Sequence, residues 1–524
     1  MIYYVSDFSY EEVKGGAESC DNEILKYFAK NKIEYKFIKS ENFNKNGNKD
    51  DYYIISNFAF LSDESKSFLS NKKFVIIEHD YKFLQERNPL KHFNFIVFKH
   101  KRINVKFYYD AIAVFAQSKF HAEIIKKNLT FANVISLNGS FFSEESLKII
   151  EKYKNSHKNN KFFIYANQNP IKGTLEAIQY CKKNQIEFDL IEHSDHEQFI
   201  STISKYKGIV FMPQSPETYC KMLAECKCLG LKIITNKLTG FINEEHSKNE
   251  TNLIEFLEKQ RKNNIKQILD TLLENQNEQN YILTEIVSLY KAEKFLPKFL
   301  SNLENQNLFK KSKILFINAN SPTRKEEDIF INSFIERHNN TEYVILEKDP
   351  GLYGVWNIGL NMAKTEFVCN SNVDDLRFDF GTEVLIEAIT KENAILAYGD
   401  TFISDSPGVI TKQEFSEHSI NNFSEENMIK CLPGAMPIWK NSDFRFDEDY
   451  KYAGDWEMWL RMIQNKNKFI KVDIPVGVYY NNPNGLSTSE KFQKERFLEE
   501  KKIFEEYKNI YPKNYKNYKE YFSR

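Results

Sequence analysis

The chain has 524 residues, 41% of them apolar and 28% charged. That is more than one hydrophobic core usually serves and too apolar for a disordered chain, so two to four domains are expected. With 72 Lys and Arg against 73 Asp and Glu, the formal net charge is −1, which excludes the basic footprint of a nucleic-acid binder. The opening residues carry no basic region and meet Asp7, Glu11 and Glu12 early, so they are not expected to form a secretory signal. No apolar run approaches the roughly 18 residues of a membrane helix. Seven cysteines, an odd number, fit a reducing, cytoplasmic setting. Cys220, Cys226 and Cys228 lack zinc-knuckle spacing and read as buried thiols.

Along residues 1–240, short β-branched and aromatic runs alternate with amphipathic stretches. The predicted strands are 2–6, 52–56, 74–78, 111–117, 134–137, 162–166, 188–192, 208–212 and 232–235, with helices over 18–30, 119–127 and 217–229. Near-continuous apolar strands alternating with helices predict parallel sheets covered on both faces. The expected organisation is two Rossmann-like lobes, 1–150 and 151–275. A helical pattern over 250–280 ends in the polar tract 274–280, read as a linker. After it the pattern restarts, with strands 282–289, 314–319, 343–347 and 367–370 and helices 294–305, 325–338 and 355–363. That restart predicts an independent unit over 276–510, followed by a basic and aromatic tail, 511–524.

Three features of the first half bear on chemistry. Gly15-Gly16 lies between the first strand and its helix, where backbone N–H groups can approach a phosphate. There is no GxGxxG fingerprint and no Walker sequence, which takes most of the support from nicotinamide and P-loop chemistry. Lys172-Gly173 follows a strand and precedes a helix, where a Lys meets a diphosphate as a point charge. Glu217 and Glu225 stand eight positions apart; on one helix that spacing is about 800°, setting the carboxylates on neighbouring faces two turns apart.

Taken in order, these features resemble the retaining glycosyltransferases of family 4, which have the two-lobed GT-B fold. Glu217 and Glu225 match that family's pair of glutamates, Gly15-Gly16 its glycine loop and Lys172-Gly173 its Lys-Gly turn. Glu78-His79-Asp80 looks like the histidine region of the acceptor lobe. The resemblance implies that Lys172 binds the donor diphosphate, Glu217 the donor sugar, Glu225 the nucleoside ribose and His79 the reacting sugar. Where the family usually has an Arg, five residues before the Lys, this chain has Asn167.

Residues 281–510 carry a second constellation. Ser288 and Tyr290 close the first strand of the unit, Asp349 and Asn357 bracket a Gly-rich helix start, and Asn372-Val-Asp374-Asp375 follows a strand. Gly454-Asp455-Trp456-Glu457 opens a later helix. In this order they resemble glycosyltransferase family 2, with its single mixed sheet in a GT-A fold. The resemblance implies that Asp374, with Asp375, holds Mg²⁺ or Mn²⁺ against the donor diphosphate. It implies that Asn372 replaces the first acid of the DXD motif and that Asp455 is the base of an inverting transfer. Ser288, Tyr290, Asp349 and Asn357 then line the nucleotide pocket. The chemistry is consistent: a diphosphate leaving group needs a hard cation, and an attacking hydroxyl needs a carboxylate base.

The expectation is a bifunctional α/β hexosyltransferase of the cytoplasm that builds a surface or other glycan from nucleotide sugars. Its acceptor would be a glycan or lipid-linked glycan, and the tail 511–524 would touch the inner face of a membrane. The alternative is that only the C-terminal half catalyses and the N-terminal half binds acceptor or acts as a scaffold, a reading that Asn167 favours.

Overall fold

The computed structural model describes residues 1–44, 51–192, 195–274, 281–407, 409–411, 414–416 and 433–508. Most of the linker tract and the whole tail 511–524 lie outside the described residues. The chain divides into two compact units, Met1–Gln276 and Asn277–Arg524.

The first unit holds two parallel sheets. One is built from β1 (Ile2–Ser6), β2 (Tyr35–Lys39), β3 (Tyr52–Ile55), β4 (Lys73–Glu78), β5 (Val114–Ala116) and β6 (Val134–Ser136), in the order β2-β1-β3-β4-β5-β6. The other comprises β7 (Phe162–Tyr165), β8 (Phe188–Ile191), β9 (Gly208–Phe211) and β10 (Lys232–Thr235), in the order β10-β9-β7-β8. Every pairing in both is parallel. Strand β2 has no counterpart among the predicted strands: Tyr35-Lys-Phe-Ile-Lys39 is a lysine-bearing edge strand, whose polarity conceals it. The stretch 111–117 shortens to three strand residues.

The helix Leu253–Leu273 ties the unit together. Leu253 and Leu257 belong to the core of the second sheet, whereas Ile265, Ile268, Leu269 and Leu272 belong to that of the first. Arg261, midway along it and 6% exposed, bonds Glu23 at 3.1 Å, the Phe142 carbonyl at 3.0 Å and Glu144 at 3.1 Å. A buried guanidinium spread over three acceptors is a directional clasp.

The second unit is one mixed sheet. Its strands are β11 (Leu283–Leu289), β12 (Ser312–Asn318), β13 (Thr341–Ile345), β14 (Phe367–Ser371), β15 (Leu376–Arg377), β16 (Leu396–Ser404), β17 (Ile438–Lys440) and β18 (Phe469–Tyr480). They run β13-β12-β11-β14-β17-β16-β18-β15, parallel through β14 and then mixed. All three sheets reverse their strand order, at β1/β3, β7/β9 and β11/β14. Ligands of open α/β sheets gather beyond the carboxyl ends of strands at such points. Every residue singled out by motif in the loops after β1, β4, β7, β9, β11 and β14 lies at such a carboxyl edge.

Among the described residues, no helix is long and apolar enough to cross a membrane. Six cysteines (Cys20, Cys181, Cys220, Cys226, Cys228 and Cys369) are free thiols.

Candidate active sites

In the first unit, His79 follows β4 and is gripped from both ring nitrogens. Its Nδ1 accepts from the Gln117 amide at 2.5 Å, and its Nε2 meets Ser56 Oγ at 2.9 Å and Asp21 at 3.4 Å. Asp21, on the helix Gly16–Lys30, also accepts from Tyr4 (2.8 Å), Ser6 (2.9 Å) and Ser56 (2.6 Å). Burial works against its carboxylate, but His79, Ser56 and Tyr4 together bring its pKa below the ordinary value. Asp21 was not legible as a site residue, because its partners come from three different strand ends. The acids beside His79 are engaged elsewhere: Lys82 bonds Glu78 at 2.7 Å and Asp80 at 2.8 Å.

Lys172 ends a short turn, Pro170–Lys172, and Gly173 follows at φ +68°. A side chain at Gly173 would place its Cβ 1.6 Å from the Met212 carbonyl oxygen, so only glycine fits. Lys172 Nζ donates to Glu217 at 2.7 Å. Burial disfavours the ammonium, yet Glu217 beside it raises the Lys172 pKa overall. Asn167 is spent on its own turn, accepting from the Asn169 N–H at 2.8 Å.

Glu217 and Glu225 do not share a helix, contrary to the spacing argument. The helix runs Lys221–Cys228, preceded by Cys220 at φ 76°. Glu217 lies in an extended strap bridged to Thr239: its N–H bonds the Leu238 carbonyl (2.7 Å) and its carbonyl accepts from Gly240 (2.9 Å). These backbone bonds across the chain replace the ones a helix would have made. The strap meets the first lobe directly, where Thr218 Oγ1 donates to the His79 carbonyl at 3.1 Å. His79 and Glu217, distant in sequence, are thereby brought together. Glu225, on the helix, is paired instead with His196 at 2.9 Å, which raises the His196 pKa. Lys221 reaches Ser19 at 3.3 Å, bringing a further cation toward the Gly15-Gly16 turn. Sequence reading passed over both His196 and Lys221. At that turn Gly16 faces open space, whereas a Cβ on Gly15 would meet the Glu18 carboxylate at 2.3 Å.

In the second unit, Asn372, Asp374 and Asp375 follow β14. Asp375 is buried and accepts from the Tyr480 N–H (2.9 Å) and the Asn372 amide (3.0 Å); Asp374 accepts from the Asn482 amide (2.9 Å). Burial raises the pKa of both, and Asp374 raises that of Asp375 further. Both carboxylates line an open pocket with Lys294, Phe295, Lys298 and Pro407. The two lysines fell within a predicted helix and were not singled out; their proximity to the acids is visible only in three dimensions. Lys298 donates to the Pro407 carbonyl at 2.9 Å. A second hollow behind the pocket shares Asp375 and holds Asn372, Glu285 and Arg377.

Among the described residues, no three or more His, Cys, Asp or Glu side chains gather as a metal cage. Asp374 and Asp375, two adjacent hard oxygen donors, are of the chemistry that would hold Mg²⁺ or Mn²⁺, which would supply positive charge against a diphosphate. Asp455 stands in the first turn of the helix Gly454–Gln464. It does not cap that helix, whose N-cap residue is Ala453. It accepts from Tyr353 OH at 3.3 Å and from the Trp456 N–H at 2.9 Å. Tyr479 is within the field of Asp375, Asp374 and Asp455, and after burial these three acids raise its pKa.

The remaining predicted residues are placed differently. Asp349 closes an exposed turn onto the Gly351 N–H at 2.8 Å. Asn357 is buried and clips the 446–448 loop, with 2.8 Å bonds to the backbone of Phe446 in both directions and 2.9 Å to Glu448. Ser288 is half-buried at the end of β11, and Tyr290 is exposed beyond it under Lys291.

With this geometry in view, residues 284–452 match the family model Glycosyl transferase family 2. That stretch lies within the second unit. Curated proteins gave no match. Among solved structures the chain is similar to S. aureus TarS 1–349 in complex with UDP, at 18% identity and TM-score 0.33, over 38% of this chain and 61% of that one. It is also similar to S. aureus TarS 1–349 in complex with UDP-GlcNAc, at 16% identity and TM-score 0.37, over 44% of this chain and 67% of that one. A third is the mannosyltransferase PcManGT from Pyrobaculum calidifontis in complex with GDP-Man and Mn²⁺, at 14% identity and TM-score 0.31, over 41% and 63%.

Proposed function

We propose that the chain is a bifunctional nucleotide-sugar glycosyltransferase, with a GT-A, family 2-like inverting site in the second unit and a GT-B, family 4-like retaining site in the first. The observation that carries this reading is the adjacent pair Asp374 and Asp375 lining an open pocket with Lys294 and Lys298, inside the stretch matched by the family 2 model. In the second unit Asp374 and Asp375 would hold the divalent cation, which neutralises the departing diphosphate. Lys294 and Lys298 add positive charge along the same pocket. Asp455 takes the acceptor hydroxyl proton, with Tyr353 fixing its orientation. Asn372 keeps Asp375 in place rather than adding a charge.

In the first unit Lys172 would exchange its bond to Glu217 for the donor diphosphate, freeing Glu217 for the sugar. Glu225 would turn from His196 to the ribose, and His79, its tautomer set by Gln117, would face the reacting sugar. Built on one chain, two successive additions keep the intermediate at a high local concentration.

A second reading has an observation of its own. With Asn167 spent on its turn, Lys172 already neutralised and Glu18 beneath Gly15, the first unit offers a donor diphosphate little positive charge beyond Lys221. It would then bind acceptor without transferring. One comparison decides between the two: sugar transfer by the full chain, by Glu217→Ala and by Asp374→Ala, each with and without chelator. Bifunctionality requires two products, one lost in Glu217→Ala alone and the other lost both in Asp374→Ala and with chelator. A single product that Glu217→Ala leaves intact supports the binding-module reading. Transfer surviving in Asp374→Ala with chelator overturns the metal assignment.

A further inference from the structure

Between β4 and the helix Val105–Asp110 the chain makes three short turns, Pro89–Lys91, Phe93–Phe95 and Lys99–Lys101. Here Phe93 is 87% and Phe98 67% exposed, and Leu90, Ile96 and Ile103 are exposed as well. Isolated apolar side chains on a surface need no explanation, but five within one short segment form a patch. The segment is held in this shape from beneath. Val97 is fully buried, and its N–H donates to Asn128 Oδ1 at 2.8 Å; the same buried amide donates to the Phe95 carbonyl at 2.8 Å. Arg102 Nε donates to the Val97 carbonyl at 2.9 Å, and the Ile103 N–H to the Phe83 carbonyl at 2.8 Å. Asn94 and Phe95 both adopt positive φ, 51° and 64°, a cost borne only where surrounding contacts impose it. The phenylalanines are therefore presented outward by a built scaffold.

Within the segment itself the charge has one sign, with Glu86 just before it 3.5 Å from His92. From Arg87 to Tyr109 there are six Lys and Arg, two His and no carboxylate, in a chain whose net charge is −1. Arg87 and Lys106 are paired with Asp80 and Asp110, and Arg102 with backbone, whereas Lys91 and Lys101 are exposed on the turns that carry the aromatics. Aromatic tips flanked by lysines match the boundary of an anionic bilayer, where rings enter the acyl region and ammonium groups stay among phosphates.

We propose that the turns over residues 89–103 dock the first unit on an anionic lipid surface. The test is flotation of the full chain with vesicles of phosphatidylcholine and phosphatidylglycerol, against vesicles of phosphatidylcholine alone. The chain is expected to float with the anionic vesicles, to be released by added salt, and to ignore the neutral ones. The double variant Phe93→Ser/Phe98→Ser and, separately, Lys91→Glu/Lys101→Glu should each weaken partitioning by at least about tenfold with unchanged melting. Because these four side chains are exposed, folding should survive both changes, and either variant alone suffices if the other misfolds. The proposal fails if wild type stays unbound to anionic vesicles, whether or not it takes an acidic protein partner. It fails equally if neutral vesicles bind as well, or if both variants float like wild type, which would move the contact elsewhere in the chain.

Discussion

In the first unit the charged groups of the candidate site find partners within the protein: Lys172 on Glu217, His196 on Glu225 and His79 on Asp21, all within 3.4 Å. In the second unit Asp374 and Asp375 are crowded together, and the hydrogen bonds on their oxygens come from neutral amides of Asn372, Asn482 and the Tyr480 backbone. The first arrangement is self-neutralised, so a ligand must break an ion pair before it can use either partner. In the second, burial and mutual repulsion hold the two carboxyls toward the neutral form, so a cation would displace a proton rather than break an ion pair. The architecture differs too. The first site is assembled from two sheets joined by the helix Leu253–Leu273, whereas the second stands at the edge of one sheet.

The largest expected effect breaks the comparison at its catalytic end. Asp455→Asn keeps the shape and the bond to Tyr353 but cannot accept a proton at neutral pH. General-base catalysis contributes about 10²–10⁴-fold, so transfer by the second unit should fall by at least about a hundredfold. Nucleotide affinity, measured by calorimetry, should hold, because Asp374 and Asp375 lie on a separate segment. An Asp455→Asn enzyme that turns over normally removes Asp455 from the chemistry.

Next comes the clasp that only the two-sheet site needs. Arg261→Met leaves the buried Glu23 carboxylate to Lys26 at 3.1 Å, so the loss should lie toward the lower end of the about 3–5 kcal/mol that breaking a buried pair from one side costs. Chemical denaturation followed by a probe in the first unit should show a loss of that order, with the second unit's transition unmoved. A loss below about 1 kcal/mol would mean that Arg261 behaves like a surface pair.

How much of this was legible follows from the same contrast. The alternation of apolar runs and helices announced parallel sheets, because strands buried on both faces cannot hide their composition. Gly173 and Asp374-Asp375 stood out because a local backbone demand or a local charge cluster marks them in the sequence itself. Glu217 was assigned to a helix that begins only at Lys221, because the strap's bonds to residues 238–240 are long-range and leave no periodicity. Asp21, His196, Lys294 and Lys298 were missed for a related reason: each becomes a site residue only through partners many residues away. Asn357, expected at the nucleotide pocket, also clips the 446–448 loop, a contact that no local pattern announces.

Lys172→Ala tests whether self-neutralisation leaves the cation useful. A charge-assisted contact to phosphate is worth about 1.5–3 kcal/mol, so donor affinity of the first unit should drop about tenfold or more, while the second unit's donor affinity is unchanged. If Lys172 serves only to hold Glu217, Lys172→Ala will leave nucleotide binding intact and lower stability slightly.

The smallest effect concerns the pair His196–Glu225, and pH isolates it. The glutamate raises the folded-state pKa of His196 above its unfolded value. Its contribution is therefore complete below about pH 6.5, the unfolded value, and is lost as pH rises through the higher folded value. Buried His121 and His246 behave oppositely, with pKa values pushed down to about 3 and about 4 by burial. They cost stability as pH falls below about 6.5 and are silent above it. The window above that pH thus belongs to His196 among these three. His196 is 37% exposed at its side chain, so solvent screens the pair and the loss should stay below about 1 kcal/mol. Melting of the first unit should fall slightly between neutral and mildly alkaline pH, and Glu225→Gln should flatten that slope by removing the charge that raises the histidine. A slope that Glu225→Gln leaves untouched would mean that the pair carries no proton-linked stability, so that Glu225 could leave His196 for a ribose at no electrostatic cost.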